Sequence, residues 1–191
     1  MSNEISIAQD SVSASLIANR TASETVGAGG VFTVTCVGAD GQPKWTEEFH
    51  NLVVNEGLVN MNTTYFKGSG YTAAFYLGLV DGSTSPSYAA GNTLASHSGW
   101  TELVPGTAYT GNRPAVTFGS STSANPSVIA TSAVSYSMLV NSTVVAGAFL
   151  CTVASGTSGT LFSVGSFSGG NKSVDSGDTL NVTYTFSLTG S

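Results

Sequence analysis

Thr179-Leu180-Asn181-Val182-Thr183-Tyr184-Thr185-Phe186-Ser187-Leu188 is the run that decides the fold. Leu180, Val182, Tyr184, Phe186 and Leu188 are apolar, and every residue between them is polar. Successive side chains of a β-strand point to opposite faces, so a period of two is the mark of a strand. One face here is wholly apolar and the other wholly polar. Such a strand sits in a sheet with one side on the core and the other in water, as antiparallel sheets commonly do.

Upstream, Val144 to Val153 is almost continuously apolar and reads as a central strand, followed by a Gly156–Gly159 turn and a return strand over Leu161–Phe167. Val128 to Val140 alternates, with Val134, Tyr136, Met138 and Val140 on one face. Near the other end, Val31–Val37 is a strand. Asp40-Gly41 then gives a strong hairpin signal, and the return strand passes through Trp45 and Phe49. Tyr71–Val80 reads as a buried strand, residues 82–99 as a long polar loop with one helical turn near Ala89–Leu94, and Trp100–Val104 and Ala115–Phe118 as short strands. A single helix is predicted over residues 55–66. Asn55 would cap it, Leu58, Met61 and Tyr65 would share its packed face, and Gly68 and Gly70 would stop it. About eight strands separated by turn signals make an all-β fold, an antiparallel β-sandwich or jelly roll.

Residues 1–30 read differently. Ile5 and Ile7, then Leu16 and Ile17, are separated by small polar residues, and Gly27-Ala28-Gly29-Gly30 is a break signal. The expectation is an N-terminal arm or edge strand over 1–30 and a single domain over 31–191. The arm is either a frayed terminus or a segment lying on a neighbouring subunit, with Ile5, Ile7, Leu16 and Ile17 as its contacts.

Charged residues are only 8% of the 191-residue chain, against about 25% in ordinary globular domains. Net charge is −6, and the five Lys and Arg residues are scattered, so nucleic acid is not an expected partner, since binding it requires clustered cations. No apolar run approaches the ~18 residues of a membrane span. Met1-Ser2-Asn3-Glu4 lacks the basic start and apolar core of a signal peptide, so synthesis in a cytosol is expected. Cys36 and Cys151 lie in apolar runs and read as buried thiols, with a disulfide as the alternative.

No catalytic constellation emerges. His50 and His97 stand without metal-ligand spacing. Glu47-Glu48-Phe49-His50 reads as a strand end rather than an acid–base cluster. Gly165–Ser173 misses the P-loop pattern by one position at Lys172 and is expected to be a hairpin loop. Asp175-Ser176-Gly177-Asp178 is a turn, lacking the spacing of a calcium loop. No enzyme activity, metal or cofactor is expected.

Several runs, taken in order, resemble a group of small structural proteins of tailed bacteriophages. They are Phe49-His50-Asn51-Leu52-Val53-Val54-Asn55-Glu56-Gly57-Leu58, Phe75-Tyr76-Leu77-Gly78-Leu79-Val80, His97-Ser98-Gly99-Trp100-Thr101-Glu102, Gly147-Ala148-Phe149-Leu150 and Ser176-Gly177-Asp178-Thr179-Leu180. The similarity covers roughly residues 45–190. The resemblance implies a virion role, foremost a capsid decoration (cement) protein made in the bacterial host cytoplasm. Its partner would be the major capsid protein on the outer surface of the head, and binding only the expanded shell would stabilise that state by mass action. Self-association as a homotrimer fits the cyclic symmetry usual among homo-oligomers. The alternative is a tail or fibre-associated β-module that binds host glycan through an exposed Trp45 or Trp100.

Overall fold

The computed structural model of this chain describes residues 26–190, apart from 69 and 71–73. The deciding run forms β11 (Thr179–Gly190), at the centre of the first sheet. Along one side it pairs with β1 (Val26–Val37), in register from Val26 opposite Gly190 to Val37 opposite Thr179. β1 continues through the Asp40-Gly41 hairpin into β2 (Pro43–His50), with Gly41 at φ 78° supplying the left-handed step that only glycine takes freely. Leu180, Val182 and Tyr184 are buried, as are Phe32, Val34 and Cys36 beside them. The apolar face of β11 then outruns the core: Phe186 is half-buried and Leu188 exposed.

The other side of β11 pairs with β6 (Ser127–Ala130) and β7 (Val134–Ser137). Ala130 faces Thr185 and Val134 faces Val182, so four steps on one strand oppose three on the other. The strand expected over 128–140 is therefore bulged by one residue. At the bulge Thr131 donates its N–H to the Tyr184 carbonyl and accepts the Tyr184 N–H on Oγ1.

The second sheet runs β3 (Leu52–Val53), β9 (Leu161–Ser166), β8 (Thr143–Cys151), β4 (Phe75–Asp81), β5 (Ala115–Val116), and β10 (Lys172–Val174) also pairs with β8. β8 is the central strand that its apolar run predicted. Its side chains are buried on both faces: Val145, Ala148 and Leu150 join the core between the sheets, while Ala146, Phe149 and Cys151 join a second cluster with Leu94 and Trp100. The polar loop after β4 is thus a cover over the outer face. It turns at Ala89–Asn92, where the Asn92 N–H bonds the Ala89 carbonyl, and forms no helix. Trp100–Val104 contributes one bridge, Glu102 to Val80, instead of a strand.

The Gly165–Ser173 hairpin is corrected. Ser166 faces Gly147 and Lys172 faces Val145, so β9 and β10 run the same way along one side of β8, and the glycine-rich stretch is an excursion looping out between them. The architecture is an all-β two-sheet antiparallel sandwich with one short helix. Its strand order gives no specific support to the jelly-roll variant.

Two further differences concern the ends. Gly27–Gly30 does not break the chain, because β1 runs through it. Gly30 is required there for space, since a Cβ would strike the Tyr184 ring. Residues 26–30 pair with β11 alone, and β2 joins only from Val31. Ile5, Ile7, Leu16 and Ile17 lie outside the described residues.

Candidate functional site

The helix α1 (Asn55–Phe66) has the predicted span and an unpredicted orientation. Val54, not Asn55, is its N-cap, with no side-chain capping bond. Glu56 instead reaches outward, its carboxylate accepting the N–H groups of Leu161 at 2.7 Å and Leu94 at 3.2 Å. The only buried helical residue is Gly57, pressed on the Phe162 carbonyl where a Cβ would not fit. That approach turns the expected packed face outward. Met61 is half-buried, Leu58 is exposed, and Tyr65 and Phe66 are 83% and 77% exposed.

Between this helix and the ends of the two sheets lies a groove of about 1070 Å³. Its floor is a chain of aromatic rings in edge contact: Phe118 to Phe75 at 5.8 Å, Phe75 to Phe162 at 5.6 Å, and Phe162 to Phe186 at 5.6 Å. Tyr65 and Phe66, whose rings meet edge-on at 4.9 Å, form the helical wall. Leu188 and Val26, near the paired ends of β11 and β1, also line it. Among the described residues no acidic, basic or histidine side chain lines it. The polar groups that do line it are neutral, the amides of Asn60 and Asn62, the hydroxyls of Thr64 and Thr117 and the Tyr65 phenol. Burying it would remove apolar area from water, worth about 25 cal/mol per Å².

The charged side chains lie elsewhere and act as ties. Arg113 grips Glu102 with two nitrogens at 2.6 and 2.7 Å, gives a third to the carbonyls of Val153 and Gly156, and lies 5.3 Å over the Phe149 ring. Lys172 holds Glu47 at 2.7 Å, fastening the glycine-rich excursion to β2, and Glu47 also accepts the Gly169 N–H. The Lys172 ammonium holds the Glu47 carboxyl below its usual range. Lys44 bonds Asp178 at 2.7 Å. Burial pushes the Asp178 carboxyl up, but the Asp175 N–H and the Lys44 ammonium outweigh it and leave the carboxyl below its ordinary value.

The residues weighed for chemistry are not brought together. His97 stacks on Trp100 at 4.0 Å with Nδ1 2.9 Å from the Thr93 carbonyl, while His50 is exposed at the end of β2. Trp100 is buried under that histidine and offers no free face to a sugar; Trp45 is half-buried against Phe167. The Asp175–Asp178 carboxylates are engaged by Lys44 and by the N–H groups of Ser142 and Asp175. Cys36 and Cys151 are buried free thiols. Among the described residues no group of three His, Cys, Asp or Glu side chains is placed to hold a metal, and no helix is long and apolar enough to cross a membrane. The groove itself was missed in sequence. Its signal in the sequence is the adjacent pair Tyr65-Phe66, of which helical spacing assigns only Tyr65 to the packed face, together with the overrun of Phe186 and Leu188. Comparison with protein-family models, curated proteins and solved structures yields no match to this chain.

Proposed function

We propose that this chain is a non-enzymatic structural protein that acts by docking on other protein surfaces, and that its setting is a bacteriophage particle, where it decorates the head. The observation that carries the docking half is the charge-free aromatic groove flanked by exposed Tyr65 and Phe66. The virion half rests on the sequence resemblance. In this reading the sandwich is a rigid spacer bound to the major capsid protein at many equivalent sites, and self-association as a homotrimer converts weak single contacts into avidity. Preference for the expanded shell would stabilise that shell by mass action.

The test is electron microscopy of intact particles labelled with an antibody against this chain. Label spread over the head is the expected result. Label at the tail would replace decoration with the tail or fibre reading, and particles without label would remove the virion setting altogether.

A further inference from the structure

The geometry points to an occupant for the groove: residues 12–17 of a second copy of this chain, Val12-Ser13-Ala14-Ser15-Leu16-Ile17, delivered as an exchanged arm. This rests on the docking half of the proposed function and is independent of the particle in which the protein works.

Three observations carry it. Val26 is 79% exposed and itself lines the groove, so the preceding 25 residues of the sequence join the described chain at the groove. Those residues hold an apolar set that matches an uncharged aromatic floor, with Leu16 and Ile17 flanked by Ser and Ala small enough to let a backbone approach closely. Between them and Val26 stand residues 18–25, Ala-Asn-Arg-Thr-Ala-Ser-Glu-Thr, which are predominantly polar and suit solvent better than the groove.

The choice between the same copy and a second copy follows from reach and turning. Extended, eight residues span about 26 Å at roughly 3.3 Å each. Filling its own groove would require the chain to reverse within that stretch, yet residues 18–25 contain neither Gly nor Pro, and Asn19 and Ser23 are the only residues there of the types that dominate tight turns. A chain that does not reverse carries Leu16 and Ile17 away from its own body toward a neighbour. Each copy then donates one arm and receives one. Such a head-to-tail contact closes into a ring when the rotation permits.

Two full-length variants test this. Leu16→Asp with Ile17→Asp abolishes the donor and leaves the groove, whereas Tyr65→Asp with Phe66→Asp spoils the groove and leaves the arm. Both helix residues are exposed, so a cooperative melt like the parent's is expected, and Tyr65→Ser with Phe66→Ser repeats the experiment under a milder change. Mass is read by light scattering at micromolar concentration. The parent is expected at a multiple of 19.3 kDa and each variant alone at 19.3 kDa. An equimolar mixture of the two is expected to recover association, because one supplies arms and the other grooves.

A monomeric parent overturns the exchange, whether the groove is filled by the chain's own arm or waits for a capsid surface. Oligomers that survive in both variants also overturn it, as does a mixture that stays monomeric. Head labelling is scored separately. Labelled heads with a monomeric parent would sink the arm exchange and keep decoration, and a self-associating chain that never labels particles would do the reverse.

Discussion

Arg113 is buried, and Glu102 is the only carboxylate among the described residues that answers its charge. Removing one partner of a buried pair strands the other, at about 3–5 kcal/mol. Glu102→Gln is therefore expected to lower unfolding free energy by about 3 kcal/mol in urea titration. Tyr109 is the opposite case. It is fully buried, packs edge-on against Tyr136, and its hydroxyl has no hydrogen-bond partner among the described residues. An unsatisfied buried hydroxyl is destabilising by about 1–3 kcal/mol, so Tyr109→Phe should stabilise the protein by about 1 kcal/mol. A loss in the same titration would mean the hydroxyl is satisfied after all. The Asp178 carboxyl lies below its ordinary value when folded. Its contribution is complete above the unfolded carboxylate pKa and is lost as pH falls through the folded one. Between about pH 5 and pH 2, Asp178→Asn should lose less stability than the parent, although it starts lower. At this scale the sequence was legible where chemistry is local. Cys36 and Cys151 sit in apolar runs and are buried thiols. Asn55 was misjudged because capping depends on where the first turn begins, and Glu56, bound to Leu94 and Leu161, sets that place.

Among the elements, β11 and β8 were readable because alternation and continuous apolarity report directly how many faces a strand buries. The bulge between β6 and β7 and the excursion between β9 and β10 were not readable. An extra residue or loop leaves the pattern intact on either side, and only the partner's register exposes it. The helix was found by span and misread by face. Spacing said which residues share a side, but Gly57 decided which side faces inward, since only that side lacks a Cβ against the Phe162 carbonyl. Gly57→Ala must lift the helix off β9 and should lower stability by about 1–3 kcal/mol. An unchanged denaturation midpoint would show that the approach is not needed. The groove follows from the same cause. A helix seated on a glycine leaves Tyr65 and Phe66 outside, facing the stretch of β11 where Phe186 and Leu188 run beyond the core.

For the molecule as a whole, the second sheet is covered on both faces, so Cys36 in the core between the sheets and Cys151 in the outer cluster report on different layers. Burial pushes the Cys36 thiol up to about 11 and the Cys151 thiol above its ordinary value, so neither should react with a thiol reagent in the native protein. If the two layers open together, both will be modified at one rate equal to that of global unfolding; earlier reaction at Cys151 would show that the outer cover opens by itself. The sparse charge, from which no nucleic-acid partner is expected, has its counterpart in a body whose ion pairs fasten loops. Which surface is sticky was illegible, because it is made where elements distant in sequence end together. The pairing of Val26 with Gly190 has a mechanical consequence. Hydrogen bonds between antiparallel strands lie across the strand direction, so tension applied at residues 26 and 190 would peel β1 from β11 one pair at a time, like a zipper. Force entering at Val26 and leaving through β2 and β3 would instead strain both sheets at once. The same body would be compliant to one direction of pull and stiff to the other.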